Sequence, residues 1–99
     1  MSDGRCSVRL TRRYAASLDE VWDALVAGRW LGTGDVAIRV VEPRRVVELA
    51  LPESVARIEL SADGEATVLV LDHPDLPAPS GMRAMRRWTV AFERLAEEL

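Results

Sequence analysis

Hydrophobic and polar positions alternate with a period of two at the start of the chain. They then shift to three- and four-residue spacing, return to short β-type runs and end in one long helical stripe. Val8, Leu10 and Tyr14 stand at even spacing among Arg9, Arg12 and Arg13, so residues 7–14 are expected to form a strand with one buried face. Ser17-Leu18-Asp19-Glu20 reads as a capping box, the serine hydroxyl meeting the free amide near Glu20 while the Glu20 carboxylate reaches back. In the helix that follows, Leu18, Val21, Trp22, Leu25 and Val26 form an apolar stripe, with Asp19 and Asp23 toward the other side. Gly28 ends the periodicity, and Arg29-Trp30-Leu31-Gly32 reads as a tight turn that sets Trp30 over the core.

Four further strands are expected at 36–42, 45–51, 54–61 and 66–71, all rich in valine, leucine or isoleucine. Their separators, Glu42-Pro43-Arg44, Pro52-Glu53 and Ala62-Asp63-Gly64-Glu65, are short enough to close antiparallel hairpins, and Asp63-Gly64 is the clearest turn signal. Ala56, Ile58 and Leu60 alternate with Arg57, Glu59 and Ser61, giving that strand a dry and a wet face. Pro74, Pro77 and Pro79 then keep a linker extended, because each fixes its own backbone and turns the preceding residue away from helix. Ser80 is the expected N-cap of a terminal helix over 80–99, about 30 Å long, with Met85, Trp88, Phe92, Leu95 and Leu99 on one stripe.

Composition narrows the class. At 99 residues, 48 % hydrophobic and 29 % charged, the chain has a globular balance and length for one core, burying a little over about 60 % of its unfolded surface. The longest uncharged apolar run, 66–71, is far short of the ~20 residues of a membrane span. The first six residues lack the basic and apolar regions of a secretory signal, which makes the cytoplasm the expected location. Cys6 is the sole cysteine, so no intrachain disulfide forms and multi-cysteine zinc sites are excluded. All thirteen basic residues are arginine, without lysine, asparagine or glutamine, a pattern of coding bias more than of chemistry. A net charge of −3 opposes a general nucleic-acid binder.

The order strand, short helix, antiparallel meander and long terminal helix resembles the START-like, or SRPBCC, helix-grip superfamily. The similarity is greatest to the branch related to the activator of the heat-shock-protein-90 ATPase. It rests on Ala16-Ser17-Leu18-Asp19-Glu20-Val21-Trp22-Asp23-Ala24-Leu25, on Arg29-Trp30-Leu31 and on Val40-Val41-Glu42-Pro43-Arg44-Arg45-Val46-Val47. To these it adds Gly64-Glu65-Ala66-Thr67-Val68-Leu69-Val70-Leu71 with His73, and Trp88. The resemblance implies one α+β domain over 1–99, with 1–6 as a disordered tail. A curved antiparallel sheet of about five strands is expected to carry a short N-terminal helix and a long C-terminal helix packed across it. Relatives usually have further sheet, and often a helix, where here only residues 32–35 separate Leu31 from Val36. The shortening is expected to shrink the family's apolar cavity or open its mouth. It should also leave strand 36–42 as an exposed edge through which a homodimer can form.

Candidate chemistry is sparse. His73 lies among Asp72 and Asp75, yet a strand-ending histidine needs no chemical role, and Pro74 disturbs metal-ligand spacing. Asp19 and Glu20 suit a helix's first turn. Ser54, Ser61, Thr67 and Ser80 could recruit only His73 as a base, and no nucleophile elbow is present. Gly32-Thr33-Gly34 is too short for a phosphate loop. Arg83, Arg87 and Arg94 read as a solvated helix face beside Glu93, Glu97 and Glu98. No catalytic, metal or cofactor constellation emerges.

A pocket between sheet and terminal helix would be lined by Trp22, Trp30, Ile38, Ile58, Leu69, Met85, Trp88 and Phe92. Tyr14 and Arg57 would supply polar contacts if they face inward. Three functions follow. The leading one is noncatalytic binding of an apolar or aromatic small molecule in that groove. The second is a protein-interaction module with a filled core, as the chaperone-activator resemblance implies. The third is an enzyme of polyketide cyclase or aromatase type, in which a deep pocket orients a reactive chain. Membrane and nucleic-acid partners are not expected.

Overall fold

The computed structural model describes residues 4–32, 36–52 and 54–99. Residues 1–3 of the expected tail, most of the 32–35 connection and Glu53 of the Pro52-Glu53 turn lie outside the described residues. The chain runs β1 (Arg5–Tyr14), α1 (Leu18–Ala27), a 3₁₀ turn (Arg29–Leu31), β2 (Ala37–Glu42), β3 (Val46–Ala50), β4 (Val55–Asp63), β5 (Ala66–Pro77), a second 3₁₀ turn (Ala78–Ser80) and α2 (Gly81–Glu97). The strands form one antiparallel sheet in the order β1-β5-β4-β3-β2.

Period-two alternation selects the inner face. Val8 and Tyr14 on β1, Val47 and Leu49 on β3, Ala56, Ile58 and Leu60 on β4, and Leu69 and Leu71 on β5 are buried beneath the two helices. Helix α1 lies against β4 and β5, and α2 against β1 and the Arg29–Leu31 turn. The capping box forms, with the Glu20 amide donating to Ser17 Oγ at 3.2 Å and the Ser17 amide donating to Glu20 Oε1 at 3.4 Å. Gly28 closes α1 at φ 78°, a left-handed conformation that glycine adopts without penalty.

The structure departs from the sequence expectation at several places. Arg5 and Cys6, expected in a disordered tail, are strand residues paired with Pro77 and Leu76. The expected linker after Leu71 is itself strand, because β5 continues to Pro77 and supplies that partner. Its prolines are tolerated because β4 pairs with β5 only as far as Arg57 opposite Asp72, so beyond that point β5 has no ladder on its β4 side. A register shift between Cys6 and Val8, opposite Asp75 at φ 57°, absorbs the irregularity. Ser80 is the last residue of the second 3₁₀ turn, has helical backbone angles and makes no side-chain cap bond. The buried stripe of α2 is Ala84, Trp88, Ala91, Phe92 and Leu95, while Met85 and Leu99 are exposed, as is Val26 of α1.

Strand 36–42 was expected at an edge of the sheet, and it lies there. β2 is a terminal strand, and its Val40 and Val41 are 47 % and 44 % exposed.

Candidate functional site: a groove over His73

Between sheet and helix the interior is filled. Trp30, Trp88 and Phe92 are almost completely buried, and their rings pack at centroid distances of 5.8 Å (Trp30 to Phe92), 6.0 Å (Trp88 to Phe92) and 6.4 Å (Trp30 to Trp88). Trp30 Nε1 donates to the Leu25 carbonyl at 2.8 Å, tying the turn after α1 to that helix. Ile58 and Leu69 form the floor of this core. Trp22 and Ile38 are partly buried at its margin.

The remaining predicted lining residues separate. Met85 is 45 % exposed, because the turn of α2 that faces the core presents Ala84 and Trp88 instead. Arg57 does not face inward: it lies on the outer face of the sheet beside Arg9, Glu59, Val70 and Asp72, as the alternation of β4 requires. Tyr14 faces inward, and its hydroxyl donates to the Phe92 carbonyl of α2 at 3.2 Å. Burial pushes the Tyr14 phenol up to about 12, with Arg12 opposing the shift.

The concavity that remains open lies beside this core, where β4 and β5 part company. Two adjoining hollows of about 580 Å³ and 420 Å³ share Leu51, Arg83 and Arg87. Leu76 and Ala84 belong to the first, Trp30, Leu31 and Trp88 to the second. Both volumes lie within the range of small-molecule sites. A larger hollow of about 1070 Å³ lies between the start of α1 and the β4–β5 turn, and several of its polar groups are already paired. Ser17 and Glu20 cap α1, and Arg13 pairs with Asp63 at 3.0 Å.

His73 sits at the base of the first hollow and is 3 % exposed. Its ring bridges two elements: Trp88 Nε1 donates to Nδ1 at 3.0 Å, and Nε2 lies 2.8 Å from Ser54 Oγ. An indole N–H can only donate, so Nδ1 carries the lone pair, and Nε2 carries the proton and donates to the serine. Burial holds the His73 imidazole below its ordinary value of 6.5, and the Arg87 guanidinium adds to the shift. The ring is therefore neutral near pH 7, with both nitrogens satisfied.

This arrangement joins Ser54 to His73, the one base the sequence offered it, yet it is the reverse of an activated nucleophile. A base must accept the serine proton, whereas here the ring donates to the serine. The place of an orienting carboxylate is taken by Trp88. Asp72 points to the outer face, 3.8 Å from Arg9, and Asp75 offers only its backbone carbonyl to Arg5 at 3.1 Å. The signal for the pair was present: Ser54 shares the inward parity of Ala56, Ile58 and Leu60, and His73 that of Leu69 and Leu71. Arg83, Arg87 and Arg94 are exposed, as expected of a solvated helix face, but that face is also a wall of the groove. Each precedes a buried stripe residue, Ala84, Trp88 and Leu95, and all three line the groove.

No protein-family model matches the chain, and no curated protein matches its sequence. Its fold does match solved structures. CalU16 from Micromonospora echinospora superposes with a TM-score of 0.75 at 22 % identity, over 95 % of this chain and 76 % of that one. DynU16, a protein of the dynemicin biosynthetic locus, gives 0.76 at 23 % identity over 97 % of this chain, which spans only 47 % of DynU16. The Aha1 dimer from Colwellia psychrerythraea gives 0.73 at 15 % identity, covering 95 % and 96 % of the two chains. These likenesses show a helix-grip α+β fold.

Proposed function

We propose that the protein binds an apolar or aromatic small molecule in the groove between the sheet and α2, without catalysis. The observation that carries this reading is an open, largely apolar concavity of ligand size, built from Leu51, Leu76, Ala84 and Trp88 directly against a filled aromatic core. A ligand there would rest on the core's outer wall; it would not be enclosed. The commitment of His73 to Trp88 and Ser54 supports the absence of acid-base chemistry. Native mass spectrometry of protein purified gently from its own source tests the reading. A reproducible small-molecule adduct lost on denaturation is expected; a bare chain in repeated preparations counts against it.

A second reading, association through protein surfaces, is favoured by the exposed edge β2 with Val40 and Val41 uncovered. In this reading the partner is a second copy of the chain, joined along residues 36–42. The Colwellia structure of the same fold is a dimer, which supports a second copy as the partner.

A further inference from the structure

Among the described residues, ion pairs within 4 Å join carboxylates to Arg9, Arg13, Arg29, Arg39, Arg44 and Arg45. Arg83, Arg86, Arg87 and Arg94 have none among the described residues, and all four line the groove. This concentration of positive charge stands in a chain whose net charge is −3. Acidic residues of the same helix do not offset it: Glu93 and Glu97 are not in the groove lining, and Glu98 is paired with Arg29 at 2.7 Å. The first turn of α2 has no acidic residue and no side-chain cap, so the helix dipole opposes Arg83. Arg83 and Arg87, four residues apart on one face, also repel each other. An anion placed between them relieves both effects.

The lining selects among anions. Leu51 lies in both hollows beside the two shared arginines, with Leu76, Ala84 and Trp88 adjoining and the Ser54 and Ser80 hydroxyls at hand. A small hydrophilic anion would leave this apolar wall bare, and a neutral hydrocarbon would leave the guanidinium groups unpaired. We infer that the groove takes an apolar acid, its anionic head held by Arg83 and Arg87 and its body lying on Leu51, Leu76 and Trp88. The inference rests on the groove being a ligand site and names the class of that ligand. Guanidinium groups suit this task because their planar fork matches a carboxylate and each charge-assisted bond is strong.

The test compares matched probes on the full chain by isothermal titration, with decanoate against decanol and 2-naphthylacetate against 2-naphthaleneethanol. Each acid is expected to bind about tenfold more tightly than its alcohol, with the preference shrinking as salt is raised. The double variant R83Q/R87Q alters two exposed side chains and removes their mutual repulsion, so a melting temperature equal to or slightly above that of wild type is expected. It should reduce acid affinity to the level of the alcohol while leaving the alcohol unaffected. Equal binding of acid and alcohol, or an acid preference that survives the double variant, overturns the inference while the groove reading stands. Binding of none of the four probes overturns both.

Discussion

At the scale of single residues, the informative group is His73. A buried imidazole receiving one hydrogen bond from Trp88 and giving one to Ser54 is a latch between β5, the start of β4 and α2. Protonation would break the Trp88 bond, because Nδ1 would become a donor facing a donor. Since the folded-state value lies below that of the unfolded chain, the unfolded state takes up the proton first. The latch's stability is fully present above about pH 6.5 and is lost as pH falls through the folded value. Thermal melts of wild type should therefore fall between about pH 7 and pH 5 more steeply than those of His73→Gln, whose amide keeps a donor and an acceptor but does not titrate. Parallel curves would show that the ring does not couple to folding. The sequence marked His73 as noteworthy for its neighbours Asp72 and Asp75, yet neither touches the ring. Its partners come from 19 and 15 residues away in the chain.

At the scale of elements, local chemistry was read most faithfully where it is self-contained. The Ser17 to Glu20 capping box needs only four consecutive residues, and it forms. Replacing Ser17 with alanine should cost about 1 kcal/mol in chemical denaturation. The same change at Ser80, which makes no cap bond, should stay within about 0.5 kcal/mol of wild type. Equal losses at the two serines would mean that Ser80 caps α2 in solution. The segment after Leu71 shows the opposite case. Its prolines correctly implied extended backbone, but whether that backbone is linker or strand depended on Arg5 and Cys6 pairing with it from the other end of the chain. Periodicity along α2 was also ambiguous between neighbouring helix faces. Met85 and Ala84 both fit a helical stripe with Trp88, and packing against β1 and the Arg29–Leu31 turn chose the alanine, which lets the helix approach closely.

At the scale of the whole molecule, the sheet ends in two strands, β1 and β2. The two edges differ: β1 carries Arg5, Arg9 and Arg13 along its outer face, whereas β2 exposes Val40 and Val41. Charge protects an edge from pairing, and exposed valines do not. Sedimentation velocity over a range of concentrations should show reversible dimerisation that a Val40→Arg change abolishes. A monomer at the highest concentration removes the edge-pairing reading. The sequence by itself determined the order of elements, the buried faces of the strands and the cap of α1, because each follows from short-range periodicity or turn chemistry; the edge position of residues 36–42 was only what the family resemblance implied. Only the tertiary structure decided that Trp30, Trp88 and Phe92 pack on one another as a filled core with an open groove beside it, that Ser54 and Trp88 meet on His73, and that Arg83, Arg87 and Arg94 face that groove. Those outcomes depend on which residues distant in sequence become neighbours when α2 docks on the sheet, and periodicity within one element carries no information about that distance.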